Sequence, residues 1–213
     1  SNTAVGHEAL DAAVTMNNNT AVGAQCMTGA VTGGQNVAVG AEALEVNTGG
    51  DDNVAIGYRA LEANTTGARN VAVGRVALGS MATVSNSTAV GYYALGSNST
   101  GQDCTAVGSS ALTNNSTGTD NSAVGKDTLT SCTNANNNTA MGKSALENLT
   151  TGSDCTAFGQ GALSGVVGGG GNTAIGRLCG TSISSGYGNV LLGQQAGRSQ
   201  GNLVNNLYIA RDN

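Results

Sequence analysis

A glycine recurs every 17 residues along this chain, at Gly6, Gly23, Gly40, Gly57, Gly74, Gly91, Gly108, Gly125, Gly142, Gly159, Gly176 and Gly193, with no insertion or deletion between any two. Each sits in a unit of the form Asn-Thr/Val-Ala-Val-Gly-x-x-Ala-Leu, of which Asn19-Thr20-Ala21-Val22-Gly23 opens one copy. A thirteenth unit starts at Asn206-Leu207-Tyr208-Ile209, with Ala210 in the glycine's place. Self-similarity at a fixed short period marks a solenoid, in which a unit buries its apolar face only by stacking on the next. A disordered chain has no reason to hold apolar residues in register over twelve periods. The expectation is an all-β parallel β-solenoid of twelve to thirteen 17-residue coils, forming a single repeat domain over residues 1–213.

Composition narrows the core. With 34 Gly, no Pro, no Trp and 3% aromatic residues, Ala, Val and Leu must supply nearly all the apolar volume. Such residues fill only a thin space between closely approaching walls. The residue four before the glycine is Asn in most units, with Ser87, Cys104 and Cys155 as exceptions. Stacked at strand spacing, this column predicts an amide ladder, each side chain donating to its neighbour's carbonyl. The next three residues, such as Thr3-Ala4-Val5 and Val54-Ala55-Ile56, read as a short β-branched strand. Period-2 geometry sends Ala to one face and its two neighbours to the other.

The uninterrupted Ala column from Ala4 to Ala174 lets two walls approach, and so belongs inside. The opposite column is Val5, Val22, Val39, Ile56, Val73, Val90, Val107, Val124, Met141, Phe158, Ile175, Leu192 and Ile209. An apolar stripe of that length is too large to leave in water. Self-association about an axis parallel to the rod is the simplest cover, which makes these thirteen residues the expected subunit interface.

After the glycine, which supplies a positive φ or a close backbone approach, come two variable residues expected to form a solvent-facing rim. Five of the eight Lys and Arg residues and three of the five Tyr residues fall in these two slots. Tyr58, Arg59, Tyr92 and Tyr93 are the candidates for contact with a cell-surface glycan or protein receptor, because aromatics and Arg dominate binding hot spots. The Ala-Leu pair that follows should close the core, with Gly180 and Gly197 replacing Leu in the last units. The remainder, for example Asn64-Thr65-Thr66-Gly67, reads as an outer loop free to vary.

A net charge of −5 with only 10% charged residues gives no field to hold nucleic acid. No apolar run approaches the ~20 residues needed to span a bilayer, so membrane insertion is not expected. The chain has one histidine, His7, and no triad, metal-ligand spacing or phosphate-binding loop; no enzyme, metal site or cofactor is expected. Of five cysteines, Cys104 and Cys155 share one phase and Cys26 and Cys179 another. At about 4.8 Å per coil, same-phase pairs lie beyond the ~7 Å a disulfide spans. They read as small buried residues replacing Ala or Asn.

Repeats of Asn-x-Ala-Val/Ile-Gly-x-x-Ala-Leu followed by Asn-Thr-Thr-Gly, as in residues 53–67, resemble the heads of YadA-like trimeric autotransporter adhesins and the repeat shafts of phage tail fibres. The resemblance covers all twelve units. It implies a left-handed β-roll, a homotrimer with the Val/Ile stripe on its axis, and a structural or adhesive fibre segment that attaches to a host or surface. A virion tail fibre or a bacterial cell surface is the implied location, and the opening inside a unit suggests a fragment of a longer fibre protein. The uniform 17-residue period and the cysteines depart from adhesin heads and lean toward the phage branch. The alternative reading is an ice-binding or mineral-binding solenoid, because Thr3, Thr20, Thr88, Thr105, Thr139, Thr156 and Thr173 stack in one column, though Val37, Val54 and Val71 interrupt it.

Overall fold

The structure, a computed structural model, describes residues 1–210 except 13, 14, 16, 30 and 31. Thirteen three-residue strands, the first Thr3–Val5 and the last Leu207–Ile209, pair in sequence order into one parallel sheet. Every described pairing has the register the period demands: Ala38 opposite Ala55, Ala55 opposite Ala72, and so on up the stack. Among the described residues the fold is a β-solenoid with one strand per coil and no helix.

The rest of each coil is not strand, yet its backbone is tied to the coils above and below. Three further positions carry positive φ: the second, fourth and twelfth residues after the glycine. In the Gly74 coil these are Val76 (φ 58), Leu78 (φ 50) and Asn86 (φ 59). L-residues disfavour this region, β-branched Val most of all. Stacking supplies the compensation. The Val76 and Asn86 N–H groups donate back to Tyr58 O (3.0 Å) and Ala68 O (3.1 Å), and Leu78 N–H donates forward to Ala94 O (3.0 Å). A single coil could not hold these conformations; its neighbours on both sides do.

The glycine itself has two reasons to be glycine. Gly74 has φ 135, and a Cβ there would lie 2.5 Å from Gly91 O of the next coil. Both the conformation and the close approach exclude a side chain.

The core is a narrow slot lined by columns. The strand alanines from Ala21 to Ala174 are buried, with Leu191 continuing the column, and so are the Ala and Leu of the Ala-Leu pairs from Ala43 onward. Ala4 lies exposed at the first coil. The expectation of freely varying outer loops is overturned. The seventh residue after the glycine is buried in every coil from Asn47 to Ile183: Asn47, Asn64, Asn98 and Asn115 share the column with Met81, Cys132, Leu149, Val166 and Ile183. These turns fold inward because their asparagines close on themselves. Asn47 Nδ2 donates to Gly50 O (2.9 Å) and its Oδ1 accepts from Gly50 N–H (3.0 Å), and Asn98 and Gly101 repeat the arrangement. Where the amide gives way to apolar Met81, the slot is filled by dispersion contacts in its place.

The asparagine column before the strand is buried from Asn19 to Asn189 and does more than the predicted side-chain ladder. Asn53 shows the full set: its backbone N–H and its Nδ2 both donate to Asn36 Oδ1 (2.9 and 3.1 Å), and Nδ2 also donates to Gly67 O (2.9 Å) across its own coil. The side chain therefore sets the register between coils and clips each coil shut. A buried amide with all its groups partnered avoids the penalty of about 1–3 kcal/mol for an unsatisfied one.

Candidate functional site

With Ala inside, the outer face of the sheet carries the two flanking residues of each strand. All thirteen stripe residues stand on this face, each directly opposite the next, as Val73 is to Val90 and Phe158 to Ile175. Val22, Val39, Val73, Val90, Val107, Val124 and Leu192 are half-buried by their strand neighbours. Val5, Ile56, Met141, Phe158, Ile175 and Ile209 are 39–66% exposed. The adjoining Thr/Val column adds exposed Val37, Val190 and Leu207, so the apolar band is two residues wide at those levels. Its length is about 60 Å for twelve coil steps at strand spacing. A continuous band of this kind on a free surface is the mark of an interaction face.

The rim lies along the edge at which the strands end. Tyr58 and Tyr92 are exposed, and Arg59 and Tyr93 are half-buried. The four predicted contact residues form one patch, and the residue that joins them is Arg75. Its guanidinium carbon lies 5.6 Å from the Tyr58 ring centroid and 5.9 Å from that of Tyr92, stacked between rings one coil above and one below. Arg59 also lies over Tyr58, at 5.2 Å, and the Tyr92 and Tyr93 rings meet at 4.9 Å, tilted by 58°. Sequence reasoning placed Arg75 on the rim without seeing it as the link; its place exactly one period from both tyrosines was the available signal.

Beneath the patch, Arg59 Nε pairs with Glu42 Oε2 (2.5 Å) and Glu62 Oε1 (3.5 Å). Burial pushes the Glu62 carboxyl above its usual range, against the pull of Arg59. Carboxylate oxygens of Glu42, Glu45 and Glu62 all lie within 4.8 Å of one another. Arg59 already supplies a counter-charge, so the cluster is an ion-pair network on the surface. His7 Nδ1 lies 3.6 Å from Glu8 Oε2, both side chains exposed.

Much of the exposed charge lies along the two edges of the sheet, with Glu8 on the rim and Arg69 on the opposite edge as exceptions in sign. Along the rim, the residue after the glycine is Arg75, Lys126, Lys143 or Arg177 in four coils, all exposed. Along the opposite edge, where the strands begin, the residue five before the glycine is Asp52, Asp103, Asp120 or Asp154, also exposed. The sheet face thus has a basic border and an acidic border.

All five cysteines are buried and free. Burial pushes the Cys104 thiol up to about 11 and that of Cys132 to about 12, which leaves them protonated and unreactive at neutral pH. Cys104 occupies an asparagine position and imitates it: Sγ lies 3.4 Å from Gly118 O, the carbonyl an amide would clip, and receives the backbone N–H of Asn121. Cys155 lies likewise 3.6 Å from Gly169 O.

Two shallow hollows measure about 390 Å³ beside Arg198 and Tyr208 and about 430 Å³ beside Asp154 and Tyr187. Neither encloses a convergent set of polar groups of the kind that orients a small substrate. Among the described residues no helix is long and apolar enough to cross a membrane.

Searches of family models, curated proteins and solved structures return no match to this chain. The resemblance to adhesin heads and tail-fibre shafts therefore rests on the repeated motif alone.

Proposed function

We propose that this chain is a segment of a structural and adhesive fibre, a phage tail fibre or a bacterial surface adhesin, in which three copies assemble with their Val/Ile stripes on a common axis. The observation that supports this reading is the stripe itself: thirteen apolar residues in strict register on an outer sheet face. A solenoid whose every coil is bonded to the next is a stiff rod, the mechanical property an attachment fibre needs. Three sheets facing one axis would bury the stripe and leave the turns outward. In this reading the chain is no enzyme and carries no cofactor. Its partners are two further copies of itself and a cell-surface glycan or protein met by the patch of Tyr58, Arg59, Tyr92 and Tyr93. The left-handed sense of the roll and the number three follow from the family resemblance.

The test is the native mass of the purified chain by sedimentation across a range of concentrations. A trimer whose mass is independent of concentration supports the fibre. A stable monomer defeats it, and would turn attention to the half-exposed Thr column, in which Thr139, Thr156 and Thr173 stand in register. Ice-crystal shaping is the assay for that second reading, and inert behaviour there would dismiss it too.

A further inference from the structure

The two charged borders match each other across a constant interval. Arg75 follows Asp52 by 23 residues, Lys126 follows Asp103 by 23, Lys143 follows Asp120 by 23, and Arg177 follows Asp154 by 23. That interval is one coil plus the six residues that separate the two edges of a strand. The one base on the acidic border, Arg69, stands at the same interval from Tyr92, a ring that a guanidinium can stack on. Uncharged residues fall opposite uncharged ones, Tyr58 with Gln35 and Gln160 with Asn137. Matching the borders level by level fails: Arg75 would meet Arg69, and only Lys126 would meet an acid, Asp120.

Within one chain these pairs cannot form, because the borders lie at opposite ends of the strands. The ion pairs of the described residues include none of them, and Lys126 turns to its neighbour Asp127 at 3.5 Å. A second copy placed alongside, parallel and with its sheet face turned toward the same axis, brings its acidic border against the basic border of the first. We propose that copies of this chain pack in this way, each basic border against the neighbour's acidic border, with bases pairing to acids one coil removed. The step is about 4.8 Å along the rod, within the span of an arginine or lysine side chain. The contact is heterologous and repeats around a ring until it closes. A two-fold axis perpendicular to the rods would instead set like borders together and is disfavoured by charge.

The proposal rests on the reading that copies of the chain cover the stripe, and adds to it orientation and register. It places Tyr58 and Tyr92 along the seam between subunits, with Arg59 and Tyr93 beside it, so a receptor binding there would touch two chains.

The experiment is a charge swap read by the urea midpoint at which the native assembly dissociates. Lys143→Glu puts like charges at every seam and should weaken assembly roughly tenfold or more. Adding Asp120→Lys in the same chain should restore it to within about threefold of the wild type. Adding Asp103→Lys or Asp154→Lys, one or two coils away, should not. Equal rescue by all three, or by none, overturns the register while leaving the fibre reading standing. A wild-type monomer overturns both.

Discussion

Leu191 occupies the room that Gly197 leaves. A Cβ on Gly197 would lie 2.2 Å from Leu191 Cδ2, and Leu191 is fully buried in the slot where every earlier coil has alanine. The coil before makes the same concession: a Cβ on Gly180 would meet Leu163 Cδ2 at 2.7 Å and Leu191 Cδ1 at 3.7 Å. The Gly193 coil thus trades a leucine on the turn side of the core for one on the strand side. Both glycines stand at a positive-φ position, with φ 67 and 64, so the exchange also removes strain.

Gly197→Ala is therefore expected to lower the stability of the last coils by about 1–3 kcal/mol, from overpacking against Leu191 and a Cβ at positive φ. Leu191→Ala in the same chain should recover part of that loss, giving a coupling of about 1 kcal/mol or more. Urea unfolding with hydrogen exchange of the C-terminal coils measures both.

The strand-end glycine should be far less forgiving. Gly74→Ala would press a Cβ onto Gly91 O, which belongs to backbone and cannot swing away. A loss of ~3 kcal/mol or more is expected, with hydrogen-exchange protection failing first in the coils on either side. Protection as in the wild type would show that the stack can open locally at low cost.

On the striped sheet face, Val73→Asp or Val107→Asp should abolish the proposed assembly, because each would set three like charges together on the proposed axis, uncompensated, at a cost of several kcal/mol. Arg75→Ala should leave assembly intact: it removes one border pair of four and no apolar contact. An intact soluble trimer with Val73→Asp would mean that the other face of the rod is the one covered.

Much of this was legible from the period. The Ala column inside, the stripe outside and the glycine corner follow from residue size and strand alternation at fixed phase. The buried turns were not legible, because Asn64-Thr65-Thr66-Gly67 has the composition of an exposed loop. The signal was there once coils are aligned: the seventh residue after the glycine is Asn, Met, Cys, Leu, Val or Ile in the coils from Gly40 to Gly176 and never charged. The left-handed backbone at Val76 and Leu78 had no such signal. No propensity favours it, and only bonds from neighbouring coils hold it. Of the rim patch, the tyrosines were visible and the linking role of Arg75 was not, since it depends on side chains meeting across coils.

The cysteines give the last prediction, with its sign set by their burial. Cys104 and Cys132 are held at about 11 and 12 when folded, chiefly by desolvation, and titrate near 9 when unfolded. Folding stability should thus be flat below pH 9 and fall above it, as the unfolded chain gains thiolate that the folded chain cannot form. The slope reaches up to about 1.4 kcal/mol per pH unit for each thiol and ends as pH passes the folded values. A thiol reagent at pH 8 should leave all five cysteines untouched until the protein unfolds. Cys104→Asn should separate hydrogen bonding from size at this position. The amide can accept from Asn121 N–H and clip Gly118 O, so the variant should exceed Cys104→Ala in stability by about 1–3 kcal/mol and lose part of the alkaline slope. A Cys104→Asn variant no more stable than Cys104→Ala would mean that the column at this coil is held by packing alone.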